Sequence, residues 1–170
     1  MSLISAEMSA AVGTELSRGT SFPVSESDIR RWAIATYYPR RPPARFWDSK
    51  AARECALGGI AAPEEFNPFA WMAAEPRTGP RYDPVRDPDC LEHLLGIAGP
   101  GLKNQLNGGV SVEYGVPMRP GDVIDSVVTL AGYTEKTGRL GAMLFTVTEE
   151  LWRNQRMETV RRFQMTLIRY

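Results

Sequence analysis

From Ile29 to Trp47 the chain reads IRRWAIATYYPRRPPARFW, a run dense in arginine, aromatics and proline that holds no Asp, Glu or His. Arg40, Arg41 and Arg45 stand among Tyr37, Tyr38, Phe46 and Trp47, a mixture suited to charge-assisted bonds with phosphate and to stacking on an adenine. The same residue types are enriched at protein interfaces, and both readings stand open. What the run lacks is a proton carrier. The chain has one histidine, His93, so a mechanism needing imidazole as base has a single candidate, with Asp87 or Asp89 as its partner. Flanked by Glu92 and Leu94 on a short helix, it reads more simply as a surface residue. Glu113 is a second possible acid, but beside Tyr114 on a strand it reads first as a cross-strand or interface partner. Asp122 and Asp125 read as turn and strand-surface charges. Cys55 and Cys90 form no CxxC pair, so neither a zinc site nor a disulfide framework is indicated, and reduced thiols in a cytoplasmic protein are expected.

Composition narrows the partners. A chain of 170 residues forms one domain by default and is long enough for a real core. Its 20 basic and 20 acidic side chains cancel, leaving no long-range field to draw in nucleic acid or an anionic membrane. No run of about 18 apolar residues occurs, and the opening MSLISAEMSAAVGTELSRGT has neither a basic leader nor a sustained apolar stretch. Residues 1–20 are therefore expected as a flexible tail before a single domain over 21–170.

The elements that must position these residues follow from the apolar period. Ser25 with Asp28 three residues on predicts a helix start, and Ile29, Trp32, Ala33 and Thr36 recur at helical spacing until Pro39, Pro42 and Pro43 forbid continuation. Asp48 to Arg53 predicts a second helical turn, closed by Gly58 and Gly59. Pro63, Glu64 and Glu65 suit the start of a third helix carrying Phe66, Phe69, Ala70 and Ala73. Residues 75–103 are rich in Pro, Gly, Arg and Asp, with a short helix within Cys90 to Ile97, and are expected to be an insertion or lid. Beyond Gly101 the period becomes two: Val110, Val112 and Tyr114; Val123 to Val128; Met143 to Thr148; and Val160 to Ile168 predict four strands, with breaks short enough for an antiparallel meander. Helices followed by strands imply an α+β domain whose sheet wraps one helix, here the Phe66 to Ala73 segment.

Specific strings sharpen this. LNGGVSVEYGVPMRPGD (Leu106 to Asp122) resembles the LHGG-x-x-x-EY-x-x-P-L-R-x-GD segment of MaoC-like dehydratase domains. Upstream, Ala44-Arg45-Phe46-Trp47-Asp48 followed by Ala51-Ala52, and Gly58-Gly59-Ile60-Ala61-Ala62-Pro63, resemble the N-P-x-(H/Y)-x-D…A and G-G-I-V-A-P elements of the N-terminal dehydratase-like branch. The resemblance spans about Ser21 to Tyr170 and implies a hot-dog fold acting on 2-enoyl or 3-hydroxyacyl thioesters. Hydration of such a thioester needs a base for water, an acid for the α-carbon and N–H donors for the enolate-like oxygen. The family's histidine falls on Phe46 and its aspartate close to Arg41, and neither replacement transfers protons in that role. Where many hydratases have H-G, this chain has Ala62-Pro63, and proline has no N–H to offer.

The resemblance therefore implies a hydratase subunit lacking the catalytic pair, joined to a catalytic hot-dog partner as a heterodimer or heterotetramer. No resident cofactor or metal is implied; coenzyme A or acyl carrier protein serves as substrate carrier. Substrate contacts are expected at Arg40, Arg41, Arg45, Trp47, Gly59, Ala62, Asn107 and Gly108. Two alternatives remain: a non-enzymatic acyl-thioester-binding or scaffold homo-oligomer, and an active enzyme using an unorthodox acid such as Glu113.

Overall fold

The computed structural model describes residues 2–72, 83, 85–139 and 141–170. The strands expected from the two-residue period form one antiparallel sheet: β2 (Gln105–Tyr114), β3 (Ile124–Gly138), β4 (Gly141–Asn154) and β5 (Thr159–Arg169). A further strand, β1 (Glu15–Thr20), completes it in the order β1-β3-β4-β5-β2. Two expectations are corrected here. Residues 6–20 are not a loose tail, because α1 (Ala6–Ala10) buries Met8 and β1 pairs with β3 from Glu15 to Thr20. Nor do the last four strands form a simple meander. β3, β4 and β5 are consecutive neighbours, but β2 pairs with β5 at the far edge, with Tyr114 opposite Arg161 and Gln105 opposite Arg169.

The 115–123 connection makes that edge placement work. Gly115 and Val116 donate to the carbonyls of Val160 and Thr159 at 2.9 Å, so the chain leaves β2 still fastened to β5. A Cβ on Gly115 would lie 2.0 Å from the Thr159 carbonyl oxygen, closer than any side chain tolerates. Met118 and Asp122 then turn inward and are buried.

Helix α2 (Glu26–Tyr37) begins as expected, with Ser25 Oγ accepting from the Asp28 N–H at 3.1 Å. Tyr38 and the prolines end it. A 3-10 turn (Ala44–Phe46) leads to α3 (Ser49–Glu54), whose N-cap is Asp48. The third expected helix does not form over 63–72, which holds only turns at Glu64–Glu65 and Pro68–Met72. Pro68 would sit inside that helix, where it lacks an N–H and clashes with the preceding turn; Asn67 Oδ1 instead accepts from the Phe69 N–H at 3.0 Å. This irregular segment fills the space a helix was expected to fill. Phe66 meets Trp32 of α2 edge-on at 5.6 Å, and Phe69 meets Trp152 of β4 at 5.3 Å. Ile29, Ala33, Phe46, Ala62, Met118, Ile124 and Val160 belong to the same core cluster, with Val24, Ala52 and Ile60.

At the other end of the sheet, α4 (Cys90–Leu94) is held by a buried polar cluster. Arg169 grips Glu92 through both terminal nitrogens at 2.7 Å, reaches Asp89 at 2.8 Å, and donates to Thr146 Oγ1 at 2.9 Å. The Tyr133 hydroxyl donates to Glu92 Oε1 at 2.7 Å, and burial, reinforced by Glu92, pushes its pKa well up. Residues 85–103 are thus anchored to the sheet, while 75–82 and 84 of the expected lid lie outside the described residues. Among the described residues no helix is long and apolar enough to cross a membrane.

Candidate functional site

The site is assembled around the turn from Cys55 to Pro63. Arg119 Nη2 donates to the Leu57 carbonyl, and the Ala62 N–H donates to the Met118 carbonyl at 2.8 Å, fastening this turn to the connection between β2 and β3. On one side of Ala62 and Pro63 lies a pocket of about 500 Å³ whose wall includes Tyr37, Arg45, Phe46, Cys55, Glu64 and Glu65. On the other lies a smaller one of about 170 Å³, closed by Tyr114, Val116, Met118, Val160 and Arg161. Leu57, Ala62, Pro63, Glu64 and Pro117 line both, so the two form a continuous groove at the end of the sheet.

Of the residues expected to contact substrate, Arg45 and Ala62 line this groove, and Phe46 backs it. Arg45 stacks on the Phe46 ring at 4.7 Å and Arg41 on Trp47 at 4.5 Å. Trp47 is fixed in turn by its indole N–H, which donates to the Pro42 carbonyl at 3.1 Å. Among the described residues none of Arg40, Arg41 and Arg45 pairs with a carboxylate. Gly59 is half-buried against Arg119, whose Nη1 lies 3.5 Å from where its Cβ would be.

Asn107 and Gly108 are not brought to the groove. They lie at the opposite end of β2 from Tyr114, roughly 23 Å away at about 3.3 Å per residue. Asn107 Oδ1 accepts from the Gly109 N–H at 2.8 Å within a bulge. Gly108 packs where a Cβ would meet Ile168 Cγ1 at 2.8 Å. Both shape the strand.

Among the described residues none in the groove reproduces a buried acid–base pair. Phe46 is buried, with its ring 6.0 Å from Tyr37. Asp48 is engaged by α3, its Oδ1 accepting from the N–H groups of Lys50 and Ala51. Glu113 is 76% exposed beside Arg162 and stands on the face opposite Tyr114, which removes it as an acid for this groove. Glu64 and Glu65 are the carboxylates on its wall, and both are exposed at the rim. Tyr114 and Arg161 line the smaller pocket and are not among the expected substrate contacts. Partial burial holds the Tyr114 phenol above its ordinary pKa, helped by Glu65 and Glu64 and opposed by Arg161.

His93 is elsewhere. Its Nδ1 lies 2.7 Å from Asp87 Oδ2, on exposed residues of the α4 segment. The hydrogen bond to Asp87 raises its pKa. This pair therefore adds stability that is complete below the unfolded pKa, about 6.5, and is lost as pH rises through the higher folded value. An NMR titration should find the His93 ring titrating above that reference, with Asp87→Asn bringing it back; a midpoint unmoved by the substitution would contradict the pairing.

The order of the strands, with a groove where the sheet meets the Cys55–Pro63 turn, defines a hot-dog protein of the MaoC-like dehydratase type. The profile of the FAS1-like, dehydratase domain region matches residues 10–163, and the chain belongs to that family. No curated protein sequence matches it. Among solved structures it is similar to the ChsH1-ChsH2 complex from Mycobacterium tuberculosis, with a TM-score of 0.68 at 20% identity over 97% of this chain and 88% of that one. It is similar to the MaoC-like dehydratase from Rhodospirillum rubrum, with a TM-score of 0.54 at 21% identity over 93% and 97% of the two chains. The HadBC (3R-hydroxyacyl-ACP dehydratase) complex from Mycobacterium tuberculosis matches with a TM-score of 0.52 at 17% identity, over 92% and 99%. At these identities the likeness is one of fold.

Proposed function

We propose that the chain is the half of an enoyl-thioester hydratase or 3-hydroxyacyl dehydratase that lacks the acid–base pair, and that it works beside a catalytic hot-dog subunit in a heterodimer or heterotetramer. The observation that carries this reading is Phe46. It occupies the buried groove wall where the family histidine is expected, and the loop before it supplies arginines and prolines in place of a carboxylate. General acid–base transfer contributes about 10²–10⁴-fold to such a reaction, and among the described residues the groove's carboxylates are Glu64 and Glu65, exposed at the rim and not a buried pair. The thioester carrier, coenzyme A or acyl carrier protein, meets Arg45 on the groove wall, with Arg40 and Arg41 on the loop that precedes it.

The partner is supported by the edge strand. β2 is exposed along nearly its whole length and presents Val110, Val112 and Tyr114 on one face, a template that proteins leave uncovered at the risk of uncontrolled pairing. Two of the similar structures are printed as complexes of two components, ChsH1-ChsH2 and HadBC. Hydration of crotonyl-coenzyme A by the purified chain tests the reading: turnover at least ~1,000-fold below the ordinary enzyme median of about 10 per second supports it, and turnover near that median overturns it.

A further inference from the structure

We infer that this chain holds the carbonyl oxygen of an uncharged acyl thioester between Arg161 and Tyr114, so that its groove binds the ligand it does not hydrate; this rests on the thioester reading above. Ala62 and Pro63 wall the smaller pocket and offer no donor, since Pro63 has no N–H and that of Ala62 is taken by Met118 at 2.8 Å. The donors lie on the facing strands. Tyr114 and Arg161 are register partners on β2 and β5, so their side chains stand together on one face of the sheet.

Arg161 is held in place for this task. Its guanidinium lies 3.5 Å from the centroid of the Trp152 ring, and Nη2 donates to Glu150 Oε2 at 2.7 Å. Among the described residues nothing engages Nη1 or Nε, and Nε is fully buried. Nε is sealed from the pocket, so the donor left for a ligand oxygen is Nη1 of a side chain that lines the pocket wall, and a charged donor facing an apolar cavity gains from such an acceptor. The Tyr114 hydroxyl, protonated at neutral pH as a phenol ordinarily is, adds a second donor from the same wall.

The surrounding charge selects the kind of oxygen. Glu150 already balances Arg161, and Glu64 and Glu65 add negative charge at the rim. A carboxylate or phosphate would enter against that field, whereas a neutral carbonyl gains the charge-assisted bond without opposition. The remaining wall, with Leu57, Val116, Met118 and Val160, accepts the apolar chain attached to it.

Titration calorimetry with the full chain should compare butyryl-coenzyme A with S-butyl-coenzyme A, a thioether lacking the carbonyl oxygen. The thioester is expected to bind about tenfold more tightly, the scale of one hydrogen bond to a charged group. Tyr114→Phe and Arg161→Met should each bring the ratio toward one with thioether affinity unchanged. That unchanged affinity also reports that Arg161→Met has kept its fold, and Tyr114→Phe retains the ring. In isotope-edited infrared spectra the thioester carbonyl band should move to lower frequency on binding, and move less in each variant. Equal binding of the two probes, or a band shift that survives both substitutions, would overturn the inference while leaving coenzyme A binding in place. If neither probe bound, the thioester reading itself would fall and this inference with it.

Discussion

Arg169→Met is expected to destabilise the fold by about 3–5 kcal/mol, the cost of leaving a buried charge without its partner. Arg169 is 2% exposed and Glu92 fully buried, and the guanidinium is the cation that Glu92 and Asp89 share. Burial opposes the charge on Arg169, and its bonds to Glu92 and its attraction to Asp89 more than offset that, holding its pKa up. Methionine fills much of the volume but strands both carboxylates and frees the lone pairs of Thr146 and the Pro88 carbonyl. For a chain of this size each kcal/mol moves the melting temperature by about 2–4 °C, so the fall should be roughly 6–20 °C. Glu92→Gln should cost less, because the amide oxygen still accepts from Arg169 or Tyr133. Urea unfolding measures both; a loss below ~1 kcal/mol for Arg169→Met would show that the cluster does not anchor α4.

Val112→Lys on β2 is expected to break assembly while leaving the fold intact. Val112 is 37% exposed and Val110 58% exposed on one face of β2, a strand that β5 pairs along one edge and whose other edge is free among the described residues. A lysine there remains solvated in the monomer, but in a paired edge it is buried without a counter-ion. That penalty, about 3–5 kcal/mol, corresponds to a roughly 100-fold or greater weakening of association. Sedimentation velocity should find the substituted chain monomeric at concentrations where the parent chain, alone or with its partner, is assembled. An unchanged assembly would place the interface elsewhere.

These strands are also where sequence reading is strongest and where it fails. The alternation of Val110, Val112 and Tyr114, and of the later strands, is visible because one face of each is apolar, and Ser25 announces α2 through its cap. β1 is invisible for the opposite reason: Glu15–Thr20 carries Leu16 as its lone large apolar residue, and its strand character comes from pairing with β3. The helix expected over 63–73 follows from a good start at Pro63-Glu64-Glu65, but Asn67 and Pro68 decide the local geometry against it. At the site, Arg45, Phe46 and Ala62 are legible because each lies within a contiguous family-like string, 44–48 or 58–63. Tyr114 and Arg161 are not, since their meeting depends on β2 lying beside β5, whereas the short 117–121 break suggested β3. Asn107 and Gly108 show the converse, matching a family string yet serving a bulge and a close packing contact.

The central claim, that this is a hot-dog subunit without its own acid–base pair, is tested most directly by co-expression with a catalytic MaoC-like hot-dog subunit from the same genome. Crotonyl-thioester hydration and light scattering would be measured on the purified material and on each chain alone. A mixed dimer or tetramer that hydrates the thioester, with this chain alone inert, is the predicted result. A monomer, a homodimer that ignores the second subunit and leaves its activity unchanged, or robust hydration by this chain alone would contradict the claim.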